Sequence, residues 1–345
     1  MKLTVHLVTW NGAKYVPALF ESLRKQTFQD WKLVILDNAS KDEMVVAMKK
    51  EIMDFPVEVE LVESSENTGF AGGYNRALKQ VDAEYYVLLN SDIEVTPQWV
   101  EPVIQFMDAN KDVAACQPKI LAYHQKNEFE HAGASGGFMD YLGYPFCRGR
   151  LFNTLEKDSG QYNQPIEIFW ATGACMFIRS KEYHAAGALD EHFFAHMEEI
   201  DLCWRLKRKG LKLFCIPQSQ VFHVGGGTLH KSNPRKTYLN FRNNLMMLYK
   251  NLPPQKMLPV FISRIMLDKL AGISFFFSGN VKDTIAVYKA YFYILKNLKR
   301  LRTERNNSGI PFRDVSNIYK RSLVSAYYLK KHHQFSELDP TQFTQ

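Results

Sequence analysis

The sequence predicts an α/β protein with a mainly parallel central sheet, followed by a basic, helical C-terminal region. Three observations carry that prediction. Strand-like apolar runs alternate with helical patterns through the first hundred residues. Short polar or Gly-rich segments follow the ends of those runs, and past Asn233 the apolar residues recur at helical spacing while the charge changes sign. With 345 residues, 46% hydrophobic and 23% charged, the chain matches ordinary globular proteins, which excludes disordered, fibrous and small disulfide-stapled classes.

In order, residues 3–9 read as a strand, 16–26 as a helix, 32–36 as a strand, 44–53 as a helix, 57–62 as a strand, 72–80 as a helix and 85–89 as a strand. Ligands of such sheets bind beyond the carboxyl ends of the strands. The segments found there are TWNG from Thr9, DNAS from Asp37, ENTGFAGGYN from Glu66 and NSD from Asn90. Residues 112–160, rich in glycines and aromatics, read as an irregular excursion over the sheet edge. A strand over 166–178 and a helical turn over 181–186 follow; the acidic EEID then opens a helix with Gly210 as its C-cap. Two short strands, 212–216 and 219–223, are separated at Pro217 and run into GGGT.

Residues 1–233 carry 24 Lys+Arg against 30 Asp+Glu, a balance of −6; residues 234–345 carry 19 against 6, a balance of +13. That asymmetry predicts an acidic partner for the C-terminal third. There Tyr288, Tyr291, Phe292 and Tyr293 interleave with Lys282, Lys289, Lys296, Lys299, Arg300, Arg302 and Arg305. The pattern fits helices lying on an anionic membrane surface, and a helical subdomain packed on the rest of the chain would have the same composition. No nucleic-acid recognition motif is present, so no nucleic-acid partner is expected.

The five cysteines are odd in number and form no CxxC pair, which argues against a disulfide framework or zinc ribbon and for a reducing compartment. The start MKLTVHLVTWNG reads as a strand and not a signal peptide. The longest uncharged stretch of the tail, between Lys269 and Lys282, has 12 residues, against the roughly 20 that span a bilayer. The expected location is cytoplasmic, peripheral on the cytoplasmic face of the inner membrane.

Four features carry chemistry. Asp92 closes the strand YYVLL, where one carboxylate suits a metal–nucleotide site, although such residues are more often turn or cap residues. NTGFAGGYNRAL follows a strand and opens a helix, so its amides can face an anion; a loop needing small residues reads the same way. Glu198, Glu199 and Asp201 cluster before a basic helix, where neighbouring carboxylates raise one another's pKa toward that of a general base, or simply decorate a helix N-terminus. His223 ends a short strand beside glycines, as a metal ligand or as a structural histidine.

Taken together and in order, TWN, DNAS, NTGFAGGYNRA, LLNSD, ATGACMFIR, FFAHMEEIDLCWRLKRKG and FHVGGGT resemble the motifs of family 2 glycosyltransferases with the GT-A fold, in particular the rhamnosyltransferase-like branch. The resemblance covers about residues 1–250. It implies a GT-A catalytic domain over 1–233 and a basic, aromatic helical region over 234–345. The activity it implies is inverting transfer of a sugar from a nucleoside-diphosphate-sugar to a saccharide or lipid-linked saccharide acceptor in surface polysaccharide synthesis, with divalent Mg or Mn. On this resemblance Thr9, Asn11, Asp37 and Ser40 lie near the nucleoside, and Asn67, Gly69, Gly73 and Asn75 line the nucleotide pocket. Asp92 and His223 are the metal contacts, with Asn90 standing where the family's first Asp is usual. Glu199 is the base, with Glu198 and Asp201 as alternatives; Gly173 and Ala174 border the acceptor, and Arg242 helps hold the diphosphate or else lies on a solvated helix face. Two rivals remain: a non-catalytic nucleotide-sugar-binding protein with the same fold, and a dinucleotide-dependent oxidoreductase. The latter should carry its glycine fingerprint after the first strand, where the sequence reads TWNGAKY.

Overall fold

The computed structural model describes residues 1–79, 81–225, 233–305 and 309–345. Gln80, the last residue of a predicted helix, and Gly226, Gly227 and Thr228 of the glycine run lie outside the described residues.

The first part alternates as the sequence predicts: β1 (Leu3–Thr9), α1 (Val16–Arg24), β2 (Trp31–Asp37), α2 (Met44–Ile52), β3 (Val59–Glu63), α3 (Gly69–Leu78) and β4 (Tyr85–Leu89). Strands β3, β2, β1 and β4 lie side by side and parallel. β1, β2 and β4 are buried almost throughout, which is why they read as unbroken apolar runs, while edge strand β3 exposes Glu60 and Glu63. Then come β5 (Ile93–Val95), α4 (Glu101–Ala109) and β6 (Val113–Ala122).

Beyond β4 the sheet is mixed. Its order continues through β12 (Cys175–Arg179), β6, β13 (Lys212–His223) and β11 (Ile166–Glu167), with β5 also on β13; β12 runs antiparallel to both β4 and β6. The two short strands predicted around Pro217 are one strand, β13, with an irregularity between Ile216 and Gln220.

Residues 112–160, read as irregular, hold a ten-residue strand of the main sheet and most of a second sheet. β6 was hidden because Gln117, Pro118 and Lys119 interrupt its apolar run. They are buried because their polar atoms are satisfied: Gln117 Nε2 donates to the carbonyl of Gly133 at 3.2 Å, and Lys119 Nζ to Asp158 Oδ2 at 2.7 Å. The second sheet joins β7 (Gly137–Asp140), β8 (Pro145–Cys147), β9 (Arg150–Leu151), β10 (Thr154–Leu155) and β14 (Ile318–Tyr319), in the order β10-β9-β8-β7-β14.

Helices α5 (Ser180–Ala185) and α6 (Glu198–Arg208) flank the main sheet's later strands in sequence. Four more follow: α7 (Pro234–Asn251), α8 (Pro254–Phe277), α9 (Val281–Lys296) and α10 (Leu298–Thr303). Leu245 and Met246 of α7, Ile294 of α9 and Leu301 of α10 share one buried cluster with Phe138, Phe169 and Trp204, so a single core runs across residue 233. After Thr303 the described chain forms no further α-helix and returns to the second sheet. There β14 pairs with β7, Phe335 and Phe343 pack on Phe138, and buried Asp140 accepts hydrogen bonds from the amides of Leu142, Tyr144 and Leu323 at 3.0, 2.9 and 2.8 Å. Among the described residues no helix is long and apolar enough to cross a membrane.

Candidate active site

The carboxyl ends of β1 and β2 are joined in register, Thr9 opposite Asp37, and the loops beyond them are cross-linked. Asn11 turns the chain with a left-handed φ of 57°; its amide donates to Ser40 Oγ at 2.8 Å and its Oδ1 accepts from the amide of Lys41 at 2.8 Å. The Ser40 amide in turn donates to Asp37 Oδ2 at 3.1 Å, so all four predicted nucleoside residues meet in one network. Two further residues complete it. Asp42 accepts from the amides of Gly12 and Ala13 at 2.7 and 3.0 Å, and Asn38 donates to the carbonyl of Gly69 at 2.9 Å and to Asn67 Oδ1 at 3.2 Å. Asn38 was visible inside DNAS, but nothing in the sequence says its side chain points across to α3.

The glycines of α3 are set by close approach. Gly69 has φ +76°, and a Cβ there would lie 2.3 Å from the carbonyl oxygen of Phe194; one on Gly73 would lie 2.5 Å from Val8 Cγ1. Gly69 therefore lets the helix start abut the segment leading to Glu198. Asn75 departs from its expected role. Its Nδ2 donates to the Leu189 carbonyl at 2.8 Å and Glu191 Oε1 at 3.0 Å, while its Oδ1 accepts from Tyr183 Oη at 2.7 Å and the Leu189 amide at 3.1 Å. All its hydrogen-bonding capacity holds the 189–191 loop, and none is left for a nucleotide.

Asp92 sits in the turn between β4 and β5 and is covered by His223 at the end of β13. His223 Nε2 lies 3.1 Å from Asp92 Oδ1, and Nδ1 lies 3.3 Å from Glu130 Oε2, the latter an ion-pair distance and not an aligned hydrogen bond. Burial alone would lower the His223 pKa, but the two carboxylates push it up to about 10. Burial would likewise raise Asp92 and Glu130, and the imidazolium holds both below the ordinary carboxylate range. Glu130 had no motif to mark it. A carboxylate and an imidazole nitrogen converging on one point, with a second carboxylate behind the imidazole, form a donor set that fits a divalent cation in place of the proton. Asn90 is next to this group, 3.5 Å from His223 Nε2, and its amide donates to the Ala174 carbonyl at 2.9 Å.

That hydrogen bond links the turn to the segment beside Glu199. Gly173 precedes Ala174 in the chain, and a Cβ on it would come 3.6 Å from Glu199 Cβ. Glu198 and Glu199 open α6 after Phe194, His196 and Met197, three residues with φ of 65–73°. Each keeps an Oε2 shielded from solvent and without a partner. Burial pushes the Glu199 pKa up to about 7, with the amides of Glu199, Ile200, Met197 and Gly173 restraining the rise. Burial and then the charge of Glu199 drive Glu198 well above its ordinary value. Asp201 differs from both. It is fully buried and committed to Arg205 Nε at 2.8 Å, Asn251 Nδ2 at 2.7 Å and Lys250 Nζ at 3.4 Å, the position of a strut and not of a base.

Arg242 does not lie on a solvated helix face. It is buried, stacks on Tyr238 and Tyr293, and its Nη2 donates to the carbonyls of His192 and Phe193 at 3.0 and 2.8 Å. Asn243 beside it donates from Nδ2 to the carbonyls of Phe193, Ala195 and His196 at 2.9, 2.8 and 2.7 Å. Elsewhere, Asp190, His192 and Glu304 bring ligand atoms within 4.8 Å of one another at a cavity of about 460 Å³. Lys250, 2.5 Å away, already neutralises Asp190 there.

The parallel-to-mixed sheet, with loops beyond the ends of β1 and β2, a carboxylate turn after β4 and a helix opening later on an acid pair, has the GT-A fold. The chain belongs to glycosyl transferase family 2, which matches residues 4–182. It is 27% identical over 150 residues to the O-antigen biosynthesis protein RfbC of Myxococcus xanthus, covering 43% of this chain but only 12% of that protein. It is 23% identical over 237 residues to N-acetylglucosaminyl-diphospho-decaprenol L-rhamnosyltransferase of Mycobacterium tuberculosis, covering 64% of this chain and 75% of that one. Among solved structures, S. aureus TarS 1-349 in complex with UDP-GlcNAc superposes with a TM-score of 0.57 at 14% identity, over 88% of this chain and 84% of that one.

Proposed function

We propose that the protein transfers a sugar, with inversion, from a nucleoside-diphosphate-sugar to a saccharide or lipid-linked saccharide acceptor in surface polysaccharide synthesis. The observation that carries this reading is the shielded acid pair Glu198–Glu199, raised into the range of a working base and joined through Gly173, Ala174 and Asn90 to the Asp92–His223 group. The nucleoside end of the donor lies against Thr9, Asn11, Asp37 and Ser40, and Asn67 and Gly69 line the pocket beside them, with the amides of Thr68, Gly69 and Phe70 spent on Asn38 Oδ1, Asn67 Oδ1 and the Phe194 carbonyl.

Glu199 takes the proton of the acceptor hydroxyl as that oxygen bonds to the sugar's anomeric carbon and the bond to the diphosphate oxygen breaks. Burial and the charge of Glu199 favour the protonated form of Glu198 beside it, which disfavours a second ionisation. Asp92 and His223 would hold Mg²⁺ or Mn²⁺, with Glu130 orienting the imidazole. When bound, such an ion supplies positive charge against the leaving diphosphate. The five free, buried cysteines support a reducing, cytoplasmic setting, and the basic C-terminal helices support attachment at an anionic membrane surface.

The test is a panel of nucleotide sugars incubated with the full chain and Mn²⁺ or Mg²⁺, followed by nucleoside diphosphate release and thermal shift. Release with one donor class carries the reading. Donor binding with no release for any donor or acceptor overturns it in favour of a non-catalytic binding protein.

A further inference from the structure

Helix α8 wears its residues inside out, and α9 is apolar on both faces. The buried line of α8 is Val260, Arg264, Asp268 and Gly272, at four-residue spacing, and half of it is charged. Arg264 and Asp268 pair at 3.3 Å; Tyr144 Oη and Tyr291 Oη donate to Asp268 at 3.1 and 2.7 Å, and the Arg264 guanidinium stacks 4.1 Å from the Tyr144 ring centroid. That face is fully satisfied by the protein. The outward face is apolar: Leu258, Ile262, Met266, Leu270 and Ile273 form an exposed stripe at helical spacing that ends in Phe277, 83% exposed. On α9 Ala286, Val287, Ala290 and Ile294 face inward, and Val281, Ile285, Tyr288, Phe292 and Leu295 face out as well. A water-facing helix pair keeps its outer face polar, and an exposed patch of this extent marks a surface that is covered in use.

What covers it is indicated by charge. Lys282, Lys289 and Lys296 recur every seven residues on α9, all exposed, so they form a row alongside Ile285 and Phe292. Lysines beside exposed aromatic and aliphatic residues match a layer with anionic headgroups above and hydrocarbon below. Neither helix is long and apolar enough to cross that layer, so the hairpin lies in it. Of the aromatics in the tail, Tyr291 and Tyr293 face the protein, and Tyr293 stacks on Arg242, whose guanidinium holds the loop before Glu198.

We propose that the α8–α9 hairpin embeds its apolar face in the headgroup boundary of an anionic phospholipid bilayer, held mainly by insertion of Leu270, Phe277 and Phe292 and oriented by the lysine row. This deepens the membrane reading above and does not depend on which sugar is moved. Insertion, unlike adsorption by charge alone, survives salt.

The test is flotation of the full chain with phosphatidylcholine vesicles, with and without phosphatidylglycerol, at about 0.1 and 1 M salt, the latter shrinking the screening length to about 3 Å. The wild type should float with the anionic vesicles and remain bound at high salt. Met266→Asp/Leu270→Asp/Phe292→Asp should lose binding by about tenfold or more at both salts while keeping its melting temperature. Phe277→Glu, at the tip of the hairpin, gives the same reading should the triple variant fold poorly. Lys282→Gln/Lys289→Gln/Lys296→Gln should lose about tenfold or more of its binding, only on anionic vesicles and only at low salt. Release of the wild type by salt, no flotation by it, or a wild-type dimer in sedimentation that the apolar variant dissociates would each overturn the proposal. Nucleoside diphosphate release is read separately without vesicles, so flotation without release removes the transferase and leaves the membrane site standing.

Discussion

Asn243 Nδ2 donates to the carbonyl oxygen of His196 at 2.7 Å, two residues ahead of the acid pair. The same nitrogen reaches the carbonyls of Phe193 and Ala195, and Arg242 holds His192 and Phe193 from the preceding position on α7. These bonds keep Phe194, His196 and Met197 in positive-φ conformations that an unsupported chain disfavours by about 1–3 kcal/mol each. Helix α7 thus fixes where Glu198 and Glu199 begin.

Asn243→Ala should therefore act on turnover more than on donor binding. We expect kcat to fall about tenfold or more, KM for donor to change little, and stability to drop by about 1–3 kcal/mol as the three carbonyls lose their donor. Steady-state kinetics beside a thermal melt decides it: a melt shift with unchanged kcat would make the contact purely architectural.

Glu199→Gln keeps the size of the side chain and cannot accept a proton, so turnover should fall by about 10²-fold or more with donor affinity preserved. Glu198→Gln should be far milder, because burial and the charge of Glu199 favour the protonated form of Glu198. The reverse ranking in the two variants would move the base to Glu198. Asp201→Asn should lower the melting temperature through its lost pairing with Arg205 and Lys250, a different signature from either.

The raised Glu199 pKa fixes a pH dependence. A base must be ionised to act, so kcat/KM should fall tenfold per unit as pH drops below about 7 and level off above it. Stability runs the other way: a carboxyl whose folded pKa exceeds its unfolded one stabilises the fold while protonated and loses that contribution as pH rises from about 4.5 through 7. Glu199→Gln should accordingly melt at higher temperature than the wild type at pH 8 and close to it at pH 5. A pH–rate profile without an acid limb near 7 would remove Glu199 as the base.

Asp92→Ala should abolish transfer and metal-dependent donor binding, and chelation of divalent cations should silence the wild type until Mn²⁺ or Mg²⁺ is restored. Retention of more than about a tenth of activity, a loss under about 1.4 kcal/mol, would discard the metal role. Because Asp92 also balances buried His223, the variant should melt lower, and calorimetric donor titration separates that loss from the chemistry.

The half of the fold that the sequence revealed is the half whose residues obey period. β1, β2 and β4 are uninterrupted apolar runs because both faces are covered, and the segments after them stood out against that background. β6 and the second sheet were illegible because their strands are short or carry buried polar residues whose partners, such as Asp158 for Lys119, lie far along the chain. In the site, residue type marked Asp92, His223 and Glu199, but whether a side chain has hydrogen-bonding capacity to spare is a property of its neighbours. Asn75 looks like a ligand contact in one dimension and is spent on the 189–191 loop in three, and Arg242, read as lying on a diphosphate or a solvated face, is buried and holds His192 and Phe193. Glu130 shows the converse, an acid with no motif that is brought to His223 by the chain beyond β6.

The bond from the Leu323 amide to Asp140 joins positions 183 residues apart. During synthesis the β7 edge, with its buried carboxylate short of one donor, has to wait for nearly two hundred further residues before β14 can close it. The parallel half around β1 and β2, by contrast, can assemble from chain already made. Completion of the second sheet is thereby tied to arrival of the segment that follows α8 and α9, so a ribosome that stalls before it releases a molecule with a finished nucleotide half, an open sheet edge and a target for proteolysis.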